Sequence, residues 1–424
     1  MTMLMQYEAE TVAASLTLTE KVSRTAFVLY VIFMLVGTAA PFQDQDLGSS
    51  VTSNPVNQAV DSVIPLVSLF CIWPKRRNAL SLLREEKYLT LFMVWFLVSV
   101  LWSDFPFASL KAAVRQVGST IVILAFFLNA KSTSDALRYI KGVLVFYIAL
   151  SFLAIALVPG ATQWEWPAWR GLTDHKNTLG QIGFLSTVVW ASGIGGASIR
   201  GRTISTVFLL ASLLLIVGSK STTALMVLLA ISFMSLWLSV DRRAGRMVSL
   251  TILGCLLSLV VMAGALDLGE ITGAFGKDTT FTGRTDIWEV MLDEAKAHPF
   301  IGCGLAGFWL MDNPTVLALY APDKFPWGPT EGHEGYLDLL NEIGAVGLLL
   351  LALMVAFYFR NLAKLRKPHF WKWFFIGILI VNLTESTLFR SASFTGWMFV
   401  LSYIALYSEL IQSKAHAASS LGAR

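Results

Sequence analysis

What this 424-residue chain has least of is charge: only 14% of its residues are Asp, Glu, Lys or Arg, while 55% are hydrophobic. Ordinary soluble domains carry about 25% charged residues, so a soluble globular domain is excluded at once. From Ile343 to Phe359 no charged residue occurs at all. Cysteine is nearly absent too. Of Cys71, Cys255 and Cys303, the first two fall in or beside apolar runs, so the lone outer cysteine rules out an intramolecular disulfide framework, and no metal-ligand spacing exists. The apolar-polar alternation of a membrane β-barrel is also missing. The first 20 residues carry Glu8, Glu10 and Glu20, which is not the composition of a signal peptide.

What the chain does have is apolar runs of about 20 residues, each long enough to cross a bilayer core as a helix. They lie at 25–41, 57–73, 88–103, 112–129, 142–158, 177–194, 203–218, 221–240, 247–266, 335–359, 372–385 and 395–411. Lipid offers the backbone no hydrogen-bond partners, so such runs must be helices. The expected fold is an all-α polytopic membrane protein with about twelve transmembrane helices.

Lys and Arg concentrate in cytoplasmic connections. Placing the N-terminus inside and alternating the connections puts 22 of the 32 basic residues on the inner side. They include "PKRRNALSLLREEK" (74–87), "DRRAGR" (241–246) and "RNLAKLRKPHFWK" (360–372). Both termini are then cytoplasmic. The net charge of +4 mostly records this asymmetry and gives no reason to expect a nucleic-acid partner. The expected organisation is a membrane bundle over 1–266, a periplasmic loop subdomain over 267–334, and a second membrane part with a cytoplasmic tail over 335–424.

Within the large loop, "FTGRTDIWEVMLDEAKAHP" (281–299) reads as an amphipathic helix over about 282–297, stopped by Pro299. Ile287, Trp288, Met291, Leu292 and Ala295 form its apolar stripe. Arg284, four residues before Trp288, projects from that apolar side. There it either snorkels to lipid headgroups or holds a phosphate. Arg170, His175 and Lys176 gather on the same outer side beside Trp164, Trp166 and Trp169, which fit an interfacial belt. Lys220, in "GSKST" (218–222), is either a turn residue or a cation at membrane depth facing a cavity, as Arg115 and Lys111 also would be. These cations would surround an outer-facing cavity whose guest is an anion, and at a bilayer surface that anion is a lipid phosphate. His333 stands between Glu331 and Glu334, just before the uncharged run. It either closes a loop or acts as a base oriented by its carboxylate neighbours.

Four stretches occur together: "LWSDFPFASLKAAVR" (101–115), "WRGLTDHKNTLG" (169–180), "GRTDIWEVMLDEAKAHPFIGCGLAGF" (283–308) and "HEGYLDLLNEIGAVG" (333–347). As an ordered set they resemble the O-antigen ligase and Wzy-type polymerase superfamily, closest to its ExoQ-like exopolysaccharide polymerase branch. The resemblance implies a GT-C-like membrane glycosyltransferase that polymerises undecaprenyl-pyrophosphate-linked oligosaccharides at the periplasmic face, without cofactor or metal. It carries the family's outer histidine and the glycine beyond ten intervening residues onto His333 and Gly344. Its two arginines fall on Arg284 and Arg170. The family's Ser-Arg step between the seventh and eighth helices reads Ser219-Lys220 here, which keeps the charge but loses bidentate phosphate binding. Glu334 stands where relatives often have asparagine.

The expected catalytic residues are His333, Arg284 and Arg170. Lys220, Arg115, His175, Lys176, Glu331 and Glu334 are expected to bind substrate. The expected partners are the lipid-linked oligosaccharide, the bilayer, and polysaccharide export or chain-length proteins. Two alternatives stand beside polymerisation. One is a ligase passing the glycan to lipid A core or protein. The other is a transporter or flippase, for which inverted repeats and broken helices are expected; neither is read here.

Overall fold

The computed structural model describes residues 16–36, 55–162, 168–196, 198–240, 284–320, 329–365, 370–390 and 393–422. It is helical almost throughout. In chain order the elements are α1 (Leu18–Val36), α2 (Pro55–Ile72), α3 (Arg76–Glu85), α4 (Lys87–Ser99), α5 (Pro106–Asn129), α6 (Ser134–Leu157), α7 (Lys176–Ala191), α8 (Ile199–Ser219) and α9 (Thr222–Val240). They continue with α10 (Arg284–Ala297), α11 (Pro314–Leu319), α12 (Gly335–Leu362), α13 (Lys372–Val381) and α14 (Phe394–Gly422). Among the described residues the only extended pairing is one antiparallel bridge, Thr162 with Trp169. Every apolar run expected from the sequence overlaps a helix except 247–266, which lies outside the described residues, as do 37–41 of the first run and 267–283 of the large loop.

Among the described residues six stretches are long and apolar enough to span a bilayer: Pro55–Glu85, α5, α6, α8, α12 and Phe394–Lys414. The chain is a multi-pass membrane protein. Burial sorts these helices. The Phe394–Lys414 segment is 83% buried and α8 only 22%, so α14 lies inside the bundle and α8 nearer its surface among the described residues. Around α14 the core is aromatic: Tyr358 stacks on Phe375 at 3.7 Å and Phe375 on Phe399 at 4.6 Å.

The basic connections gather at one end. Arg24 donates to Tyr139 Oη, Lys75 to the Leu128 carbonyl, and Lys414 pairs with Glu85 at 2.9 Å. At the other end lie the starts of α5, α7, α9, α10 and α12, together with the connection 382–393. There Trp102 donates to the Ile301 carbonyl and the Trp169 amide to Gly218.

Contrary to the expectation of unbroken helices, α12 is two helical segments joined at Gly344 (φ 68°, ψ −175°), about 14 Å below its start at 1.5 Å per residue. A break at that depth leaves backbone groups that lipid cannot satisfy. Protein satisfies them. The Asn341 and Glu342 carbonyls accept from Cys303 and Gly304 N–H, and Ile343 from the Trp95 indole; Ala345 and Val346 N–H donate to Pro299 and Phe300. A side chain at 344 would run into the Phe300 carbonyl, so only glycine permits this close approach.

Candidate active site at the α12 entrance

His333 lies between the outer loop and α12, two residues before Gly335, with a left-handed backbone (φ 51°). Its Nδ1 is 3.0 Å from Glu331 Oε1 and 3.9 Å from Glu385 Oε2. Both carboxylates thus face one ring nitrogen and leave Nε2 to face elsewhere. Burial pulls the imidazole pKa down, but the contacts with Glu331 and Glu385 outweigh it and hold His333 up at about 9. The sequence-level expectation gave Glu334 the same role as Glu331. The structure separates them: Glu334 turns back to cap α12, accepting from the Leu337 amide, and burial lifts its carboxyl to about 7.

Glu385 is the residue that sequence reasoning missed. It was expected inside a helix over 372–385, but α13 stops at Val381. Asn382 ends it: its side-chain oxygen accepts from Thr387 and Leu388 N–H, and its carbonyl from Gly335 N–H. The turn so formed carries Glu385, only 3% exposed, to the centre of the outer end. There Oε1 accepts from Asn177 Nδ2 at 2.8 Å and lies 3.9 Å from Arg284. One carboxylate therefore joins the starts of α7 and α10 to His333. The acid in "LTESTL" (383–388) beside a polar helix end was the available signal.

Arg284 is the first described residue of α10 and is turned into the bundle, donating to the Thr384 carbonyl at 3.1 Å. Of the expected apolar stripe, Ile287, Met291 and Ala295 are buried, whereas Leu292 is 45% exposed. The stripe packs on Cys303, Phe308, Val316 and Leu319, so α10 belongs to a small core of its own. Trp288 completes the link to the site by donating to the Gly332 carbonyl at 2.7 Å.

The other expected residues divide. His175 caps α7, its Nδ1 accepting from Asn177 N–H; burial lowers its pKa, with Glu385, Asp174 and His333 acting on it through space. Lys176 is the first residue of α7. Lys220 ends α8 in a left-handed conformation and is exposed. The neighbouring start of α9 touches the same connection, Thr223 to Thr384 at 3.0 Å. Arg170 is used within its own loop, donating to the Gly160 and Asp174 carbonyls. Arg115 is paired with Asp61 at 2.5 Å, and Tyr30 donates to the same carboxylate.

The sequence showed no carboxylate and histidine ligand set, yet Glu331, His333 and Glu385 bring one donor atom each within 4.8 Å of one another. Such a spacing is compatible with a cation; the positive group placed against it in this fold is the Arg284 guanidinium. An imidazole with Nδ1 close against two carboxylates, beside an arginine, is an arrangement for moving a proton next to an anion.

A family model described as O-antigen ligase, Wzy_C, matches residues 207–352. The exopolysaccharide production protein ExoQ of Rhizobium meliloti (strain 1021) is 26% identical over 322 residues, 68% of this chain and 69% of that protein. The family model spans the last two of the four motifs, and together the two likenesses support the ExoQ-like branch. They support an exopolysaccharide-related function of polymerase or ligase type.

Proposed function

From its likeness to the ExoQ-like branch of the O-antigen ligase and Wzy-type superfamily, we propose that this protein polymerises undecaprenyl-pyrophosphate-linked oligosaccharide units at the periplasmic face of a bacterial inner membrane. The observation that carries this reading is the convergence of His333, Glu385 and Arg284 from three distant parts of the chain at one end of the bundle. The acceptor sugar hydroxyl gives its proton to His333 Nε2. Its oxygen attacks the anomeric carbon of the donor, and the bond from that carbon to the pyrophosphate breaks with its electron pair. Attack opposite the leaving group inverts the anomeric centre. Arg284 stands where charge develops on the departing pyrophosphate, with Lys220, Lys176 and Arg170 around the same mouth. Glu331 and Glu385 hold the imidazole by Nδ1 and stabilise its protonated form. No metal is required by this scheme.

Purified protein supplied with a lipid-linked oligosaccharide should lengthen chains, and His333→Ala should slow this by about 10²–10⁴-fold, the range for a lost acid-base catalyst. Undiminished polymerisation by that variant would remove the mechanism. A ligase built on the same base would need only a different acceptor, and supplying lipid A core in place of a second lipid-linked unit distinguishes the two.

The break at Gly344 favours neither transport nor catalysis. Broken helices in transporters coordinate substrate with their freed backbone groups, whereas here those groups are bonded to the 299–304 loop and Trp95. The raised His333 pKa favours one further reading of the same site. An imidazolium at neutral pH joins Arg284 as a second cation for the pyrophosphate, and activity would then fall above pH 9 rather than rise.

A further inference from the structure

Below His333 lies a second charged cluster that the proposed chemistry does not touch. Asp338, on the first turn of α12, is 3% exposed. Its Oδ1 accepts from the Trp309 indole at 2.6 Å and lies 3.0 Å from the Arg390 guanidinium; its Oδ2 accepts from Gly332 N–H at 3.2 Å and from the Ser386 hydroxyl. Arg390 reaches Glu342 one turn further along α12, at 3.1 Å, and Glu342 accepts from Ala306 N–H at 2.9 Å. The Arg390 backbone is itself anchored, because Gln116 of α5 donates to the Phe389 and Arg390 carbonyls. Two carboxylates hold the guanidinium protonated well beyond its ordinary range, against the effect of burial.

The geometry bears on His333 through one peptide unit. Gly332 N–H is held by Asp338 and Gly332 C=O by the Trp288 indole. The residue that follows, His333, is not glycine and yet has φ 51°. A left-handed conformation in such a residue persists only when its surroundings over-determine it. Gly332 is tightly enclosed, since a side chain there would strike Met291. We propose that Arg390 and Asp338 are positioning residues for His333, acting through the backbone of Gly332. The inference rests on the reading of His333 as the reactive group. It extends that reading inward: Arg390 orients Asp338, Asp338 and Trp288 clamp the 332 peptide, and the clamp aims the imidazole at Glu331 and Glu385. Charged groups facing His333 are Glu331 on its own loop, Glu385 on the 382–393 connection, Arg284 on α10 and His175 before α7; of these, Glu331 also acts through space on Arg390 of the cluster.

The test reads His333 directly, independently of turnover. Full-length protein in nanodiscs is treated with diethyl pyrocarbonate at pH 7.5. Modification of His333 is then followed by peptide mass spectrometry against His298, whose side chain is 47% exposed. Asp338→Asn keeps the shape but sets an amide N–H₂ against donors. The clamp opens, and His333 labels about tenfold faster relative to His298, the factor for losing one hydrogen bond to a charged group. Ser386→Ala removes a single donor and leaves the Arg390 pair, so its ratio falls between; it also carries the test if the asparagine variant does not fold. In the polymerisation assay the same variants lower kcat with little change in KM. An unchanged His333 to His298 ratio in the folded variants overturns the proposal and leaves the catalytic reading intact. Undiminished polymerisation by His333→Ala overturns the catalytic reading and leaves the labelling result standing.

Discussion

At the scale of single residues, His333 and Arg284 carry the sharpest expectations. A base must be neutral to accept a proton, and Glu331 and Glu385 hold His333 up at about 9. The polymerisation rate should therefore climb with pH through about 9, and Glu331→Gln should move the climb to lower pH. The measurement is a pH-rate profile of the two proteins; a wild-type rate that declines above pH 9 would assign His333 to phosphate binding instead. Stability runs the other way. The folded pKa lies above the unfolded value of about 6.5, so the pairing stabilises fully below that value, and the stabilisation is lost as pH rises through about 9. For Arg284, lysine keeps the charge but cannot make a two-pronged contact with phosphate. Arg284→Lys should cut polymer synthesis severely in cells that express and insert the protein normally. An arginine that merely snorkels would tolerate the change, so full polymer yield in that strain is the opposing result.

At the scale of elements, the break in α12 explains a spacing that the sequence displays without a reason. Gly344 lies nine residues, about 2.5 helical turns at 3.6 residues each, beyond the start of α12 at Gly335, and the loop 299–304 enters the helix there. The same loop continues to Ala306, whose N–H holds Glu342. The break therefore locks the outer loop to the helix that begins beside the histidine. Gly344→Ala would force a side chain into a left-handed backbone and against Phe300. Strain and overlap each cost about 1–3 kcal/mol, so a clear fall in thermal stability in detergent is expected. An alanine variant melting with the wild type would mean that the break is not maintained in the membrane.

At the scale of the whole molecule, two ends of the bundle carry different residues. Arg24, Lys75 and Lys414 make their contacts at one end, and His333, Glu385 and Arg284 at the other. The positive-inside rule leads us to propose that the first end faces the cytoplasm and the site the periplasm. Single cysteines at Asp312 and Ser413, both solvent-facing, should react with an impermeant maleimide from opposite sides of intact cells or spheroplasts. Cys71 and Cys303 are buried and contribute little background. Labelling of both positions from one side would remove the outer site from the proposal.

Hydropathy and charge were sufficient to read the helical membrane class, the position of nearly every helix and the two-ended distribution of cations, because each depends on short stretches meeting lipid or water. Motif order was sufficient to single out His333 and Arg284. Glu385 was hidden, since nothing local to "LTESTL" says that Asn382 will stop α13 and turn the acid toward a histidine on another element. The different uses of Glu331 and Glu334 were hidden as well: both flank His333 in sequence, but one faces the ring and the other caps a helix. Partners such as Asp61 for Arg115, or the Gly160 carbonyl for Arg170, lie too far off for any periodicity to reveal. Local pattern decides which segments leave water; only the packing of those segments decides which polar groups, stranded together at one end, must satisfy one another.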